Sequence, residues 1–170
     1  MTGCFAGYTS TRQPVGTHEL KAAAVGMAYI HEQRQQILEK LKPIFQQYYS
    51  AISGDQEQVD FVYNSPLNEK TLVELLAESQ EKDAWLQRTT KGVHKDDLKL
   101  LINTYAVKKF ASQGQLKSYL LALKLAQYEL LQQESEVAPL VLLDDIFDKL
   151  DKKRVRHLLE LLLARNFGQI

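Results

Sequence analysis

Leu140-Val141-Leu142-Leu143-Asp144-Asp145 sets four apolar residues in a row directly before two carboxylates. A continuous apolar run of that length suits a parallel strand covered on both faces, and Pro139 introduces it. Such a strand delivers its last residues to the carboxyl edge of a sheet, where open α/β folds bind their ligands. Asp144 would face a Mg²⁺ ion, directly or through water, because this hard cation takes one or two carboxylates together with phosphates. Asp145 would project to the other side and orient an attacking water or accept its proton. The plainer reading is that the pair caps the helix that follows, and these six residues alone leave both readings open.

Upstream, Ala111-Ser112-Gln113-Gly114-Gln115 opens a long helix running from Ser112 to about Leu131, with Leu116, Leu120, Leu123 and Ala126 along one side. Backbone N–H groups and the positive end of the helix dipole converge at such a start and suit a phosphate. Gly114 allows close backbone approach and Ser112 offers a hydroxyl, although Ser112 as a plain N-cap needs no ligand. Glu134 to Ala138 is a polar link. Beyond the acidic pair, Asp151 to Arg165 is amphipathic, with Asn166 and Gly168 as stop signals, and Gln169-Ile170 stands where a strand would begin. Helix, buried strand, helix and an interrupted strand predict an α/β architecture continuing past Ile170.

The first part of the chain differs. His18 to Tyr49 carries apolar residues at helical spacing, and Pro43 is expected to bend or break that helix near its end. Val59 to Tyr63 reads as a strand, and Ser65-Pro66 as the start of a helix from Leu67 to Ser79. Leu98 to Ile102 and Tyr105 to Lys109 read as a hairpin around Asn103-Thr104. Residues 1–17 read as a flexible lead-in or a cloning scar, 18–90 as a mainly helical subdomain, and 91–170 as the α/β part. The fold class is thus mixed α/β.

Composition bounds the rest. Of 170 residues, 45% are hydrophobic and 25% charged, which suits a globular chain. Lysine plus arginine and aspartate plus glutamate number 21 each, so any nucleic-acid surface must be local. The single cysteine, Cys4, excludes an internal disulfide and suits a reducing, cytoplasmic setting. No apolar run approaches the roughly 18–20 residues that cross a bilayer, and no secretory signal opens the chain. Trp85 and Tyr48-Tyr49 read as packing residues, and His94 as a turn histidine. Lys108, Lys109, Lys117 and Lys124 read as solvated lysines. Lys152, Lys153, Arg154 and Arg156 lie early in a helix, where cations oppose the dipole and hint at an outside anion.

The order Ser112-Gln113-Gly114-Gln115, long helix, apolar strand, Asp144-Asp145, then Leu150-Asp151 resembles the signature motif, Walker B and D-loop of ABC-type ATPases. Ala111 and Gln113 stand where that family has Leu and Gly, and Asp145 where it usually has Glu, a shorter reach that implies slow hydrolysis. Gly92-Val93-His94-Lys95-Asp96-Asp97-Leu98 resembles the Gly-Pro-His-Arg-Asp-Asp-Leu segment of the RecF family. Ser112 to Ala126 and Asp144 to Asp151 are similar to that family's signature helix and Walker B with D-loop. The likeness covers roughly residues 18–170.

The resemblance implies a helical arm over 18–90 inserted into an ATPase head of which 91–170 is the signature and Walker B half. It implies ATP and Mg²⁺ as cofactors, with Asp144 on the metal and Asp145 catalytic. Ser112, Gln113, Gly114, Gln115 and Asp151 would meet the nucleotide held by a second copy. It further implies an ATP-dependent homodimer, no membrane, a nucleoid-associated cytoplasmic location and DNA bound at single-strand/double-strand junctions. RecO and RecR would be its partners in loading recombinase. No Gly-x-x-x-x-Gly-Lys-Ser/Thr occurs in the sequence, so this chain alone should neither bind ATP tightly nor hydrolyse it. Another ABC or SMC-like head, and a non-catalytic helical interaction module, are the competing readings.

Overall fold

The computed structural model describes residues 7–8, 14–15, 17–135, 139–144 and 146–165, with side chains from residue 24 onward. Gly7–Tyr8 (β1) and Pro14–Val15 (β2) pair antiparallel, and Thr17–Ser53 follows as one helix, α1, of 37 residues. Pro43 lies inside α1, so the expected break does not occur. A proline there forfeits one hydrogen bond and crowds the preceding turn. Phe45, Tyr48, Tyr49 and Ile52 follow at helical spacing and are at most 1% exposed, so their burial holds the segment helical.

Three strands form one sheet in the order β3-β4-β5: Val59–Asn64, Asp97–Ile102 and Tyr105–Ala106. The β4–β5 hairpin pairs Ile102 with Tyr105, leaving a two-residue turn in which Asn103 (φ 46°) and Thr104 (φ 72°) are both left-handed. That geometry matches the right-handed twist of the strands it joins and is one asparagine tolerates. The Asn103 carboxamide oxygen accepts the Gln58 N–H at 2.8 Å. The second strand stops at Ala106 rather than Lys109, because Val107–Phe110 turns into a short helix, α3. A strand would place Val107 and Lys109 on the same face, whereas the helical turn buries Val107 and leaves Lys108 and Lys109 exposed.

The chain divides into two compact units, Met1–Gln36 with Tyr63–Leu98, and Ile37–Val62 with Lys99–Ile170. In the first unit, Asp96 is the polar centre. Its carboxylate accepts from Arg34 at 2.6 Å, Tyr63 at 2.5 Å and Ser65 at 2.6 Å, and Arg34 also donates to the Val93 carbonyl at 2.8 Å. Ser65-Pro66 opens only a 3-10 turn, Pro66–Asn68, and the helix expected there begins later, as α2 over Leu72–Leu86. The reason is local: Thr71 accepts the Glu74 N–H while Glu74 accepts the Thr71 N–H, a reciprocal cap that Ser65 lacks. Trp85, expected in the packing, is 83% exposed.

The second unit holds the aromatic core. Phe45 meets Tyr119 at 4.7 Å and Phe61 at 5.8 Å between ring centroids. Tyr119, Ala122, Leu125 and Ala126 supply the buried face of α4, Gln113–Glu134. The expected face was rotated from this one, since Leu116 and Leu120 are 40% and 48% exposed. Leu158 anchors α5, Lys152–Ala164, and is fully buried. Residues 139–144 form no strand. Among the described residues no strand pairs with them, so the backbone has no ladder and Leu140 and Leu142 are 60% and 85% exposed. The stop signals Asn166 and Gly168, and Gln169-Ile170, lie outside the described residues.

Candidate nucleotide-facing site

Two helix starts define the site, both in the second unit. Ser112 is the N-cap of α4, its hydroxyl oxygen accepting the Gln115 N–H at 3.2 Å. The Gln115 carboxamide oxygen returns to accept the Ser112 N–H at 2.8 Å, closing a capping box. Asp151 caps α5 in the same sense, accepting the Arg154 N–H at 2.9 Å. That hydrogen bond, with the Arg154 charge nearby, holds the Asp151 carboxyl below its ordinary value. The plain-cap expectation is therefore met at Ser112, whereas the cap expected of the Asp144-Asp145 pair falls to Asp151; neither cap uses the Ser112 hydroxyl proton, which leaves room for more.

Gly114 brings the two starts together. A Cβ placed on it would stand 3.1 Å from the Lys149 carbonyl oxygen, so a larger residue would push the turn ahead of α5 back by a few tenths of an ångström, and glycine lets the first turn of α4 approach it unhindered. Lys149 itself adopts a left-handed conformation, φ 62°, which carries the chain round to Asp151. Gln113 is exposed on the first turn of α4 beside them.

Glu57 lies beneath. Its carboxylate accepts from Gln115 Nε2 at 2.9 Å, from Tyr49 at 2.7 Å, and from Arg154 Nη2 at 2.7 and 2.9 Å. Burial works to raise the Glu57 carboxyl, and the bonds from Gln115, Tyr49 and Arg154 outweigh it, holding it below the usual range. Burial, reinforced by the bond to Glu57, pushes the Tyr49 phenol up to about 12. Arg154 is thus committed inside the protein, its side chain 9% exposed, and Arg156 pairs with Glu160 at 2.8 Å. Of the four cations that hinted at an outside anion, only Lys152 and Lys153 keep that possibility, both exposed. Glu57 escaped the sequence reading entirely. Arg154 carried one signal, a cation at an unfavourable dipole position that demands a compensating charge.

Asp144 is exposed at the end of the 139–144 segment, and Asp145 lies outside the described residues. Among the described residues no three His, Cys, Asp or Glu side chains converge in a way that holds a metal. No helix there is long and apolar enough to cross a membrane.

Comparison with known proteins supplies the frame. No family model matches the chain. The DNA replication and repair protein RecF of Flavobacterium johnsoniae is 50% identical over 141 residues, covering 83% of this chain and 39% of that protein. The chain belongs to the RecF family. RecF of Bacteroides thetaiotaomicron is 45% identical over 141 residues, covering 83% of this chain and 38% of its own length. The structure of the recombination mediator protein RecF-ATP in the RecFOR pathway superimposes with a TM-score of 0.69 at 32% identity, over 82% of this chain and 39% of that one. The mixed helical and small antiparallel fold is therefore that of RecF, and the chain spans about two fifths of the length of the curated relatives it matches, 39% of the first.

Proposed function

We propose that this chain supplies the signature and D-loop half of a RecF-type ATPase head, in a DNA replication and repair protein that closes on DNA as an ATP-gated dimer. The carrying observation is that the α4 start bearing Ser112, Gly114 and Gln115 lies against the turn ahead of Asp151, so close that a Cβ on Gly114 would stand 3.1 Å from the Lys149 carbonyl oxygen. Two helix starts side by side present backbone N–H groups and positive dipole ends on one patch, which suits an anion. On this reading Ser112, Gln113, Gly114 and Gln115 meet the γ-phosphate of ATP held by a second copy, with Asp151 at the seam. Support for ATP comes from the RecF relative solved with it.

Asp144 would hold Mg²⁺, since one exposed carboxylate fits a cation that takes most of its other ligands from phosphates and water. The ion, when bound, neutralises charge on the phosphates. Asp145 orients the attacking water on this reading, and its short side chain makes hydrolysis slow. The phosphate loop is absent from this sequence, so the chain works only together with it. The dimer would favour single-strand/double-strand junctions and act with RecO and RecR to load recombinase.

The test uses the full-length native protein carrying Ser112→Arg. It should bind ATP as the parent does and fail to dimerise with it, measured by sedimentation; normal ATP-driven dimerisation sinks the assignment. The capping box at Ser112 and the N-cap at Asp151 favour a second reading, a non-catalytic helical module in which both residues do nothing but cap. That reading predicts no response of the full-length protein to nucleotide.

A further inference from the structure

We propose that Glu57 and Arg154 are positioning residues that lock the start of α4 to the start of α5, so that the two present themselves to a partner's nucleotide as one surface. The proposal rests on the trans-contact reading above and extends it to two residues with no place in the motifs. Glu57 receives four hydrogen bonds, one each from Gln115 and Tyr49 and two from Arg154, which fills the acceptor capacity of a carboxylate. Arg154 spreads its guanidinium over Glu57, the Ser118 hydroxyl at 3.1 Å and, through Nε, Asp151 at 3.2 Å. Glu57 therefore touches α4 through Gln115, and Arg154 touches both α4 through Ser118 and the α5 cap through Asp151.

Two features make this more than a buried ion pair. Gln115 spends its oxygen on the Ser112 N–H and its nitrogen on Glu57, so Glu57 fixes the carboxamide that closes the cap. Arg154 sends each guanidinium nitrogen to a different partner, Nη2 to Glu57, Nη1 to Ser118 and Nε to Asp151, and a rigid plane fixes those directions where an ammonium would fix only charge. The pair joins residues 97 apart in sequence, so one linkage sets the relative position of two elements that local geometry leaves independent. Tyr49, fully buried on α1, braces the carboxylate from below.

The test is made in the full-length protein with Glu57→Gln, beside Ser112→Arg as control. Three readouts are taken: fluorescent-nucleotide affinity of the single subunit, thermal midpoint without nucleotide, and the ATP concentration giving half-maximal dimer. In Glu57→Gln that concentration should rise about tenfold or more, within the usual range of coupling between sites, with nucleotide affinity within twofold of the parent. Arg154→Lys, which keeps the charge and loses the three fixed donor directions, should show the same split and replaces Glu57→Gln if that variant does not fold. If dimerisation is unchanged in the positioning variants but lost in Ser112→Arg, the proposal fails and the trans reading stands. If Ser112→Arg also dimerises normally, both fall. Parallel losses in midpoint, affinity and dimerisation would reduce the pair to a structural one and overturn the proposal.

Discussion

Gly114 is where the proposed function depends most directly on backbone freedom. Replacing it with alanine sets two effects against each other. Alanine is favoured over glycine in a helix by up to about 1 kcal/mol, so α4 itself gains. The added Cβ meets a backbone carbonyl at 3.1 Å, which cannot swing aside as a side-chain tip would, so the Lys149 turn must shift. The expected outcome for Gly114→Ala in the full-length protein is a denaturation free energy within about 1 kcal/mol of the parent, with ATP-driven dimerisation clearly weakened. A variant that dimerises like the parent would show that the close approach has no bearing on nucleotide. Thr71→Ala makes the opposite case: it removes the cap of α2, in the first unit, and should cost about 1 kcal/mol of stability, read by urea denaturation, without touching dimerisation.

At the level of elements, the Asp96 cluster ties α1 to the turn at Val93–Lys95 within the first unit. Burial would raise the Asp96 carboxyl, but hydrogen bonds from Ser65, Tyr63 and Arg34 hold it below its ordinary 3.8. A depressed folded-state value means the carboxylate stabilises the fold above the unfolded value, and that stabilisation is lost as pH falls through the folded one. Glu57 shifts in the same direction from 4.5. Denaturation midpoints should therefore hold steady above about pH 5 and fall below about pH 4, where carboxylates protonate. Asp96→Asn should be less stable at pH 6 and show a smaller acid loss; an unchanged acid loss would remove Asp96 as its source. These elements also show what a sequence makes legible. The starts of α4 and α5 were readable because caps are local, set by Ser112 with Gln115 and by Asp151 alone. The burial expected of Leu140 to Leu143 was not, because a strand is made by its neighbours and none of the described strands pairs there. The path of α1 through Pro43 was hidden for a related reason, since the buried aromatics that hold it pack against residues distant in sequence.

The whole molecule divides its labour between what this chain carries and what it lacks. On the proposed reading, signature and D-loop would present a partner-facing surface, whereas tight hold on a triphosphate comes from a glycine-rich loop whose backbone N–H groups wrap the phosphates. That loop is absent from the sequence, so affinity and gating should separate cleanly between parts of the native protein. Calorimetric titration of the 170-residue chain with ATP and Mg²⁺ should give no saturable heat at ligand concentrations where the full-length protein is saturated. The full-length protein should in turn require the triphosphate, and not ADP, to dimerise if, as proposed, the γ-phosphate is the group that reaches across to Ser112 and Gly114. Saturable micromolar binding by the chain alone would mean that the convergent starts of α4 and α5 hold nucleotide unaided, and the site would then be a complete anion pocket rather than half of a shared one. Dimerisation driven equally by ADP would leave the surface intact but remove the γ-phosphate as the group that it reads.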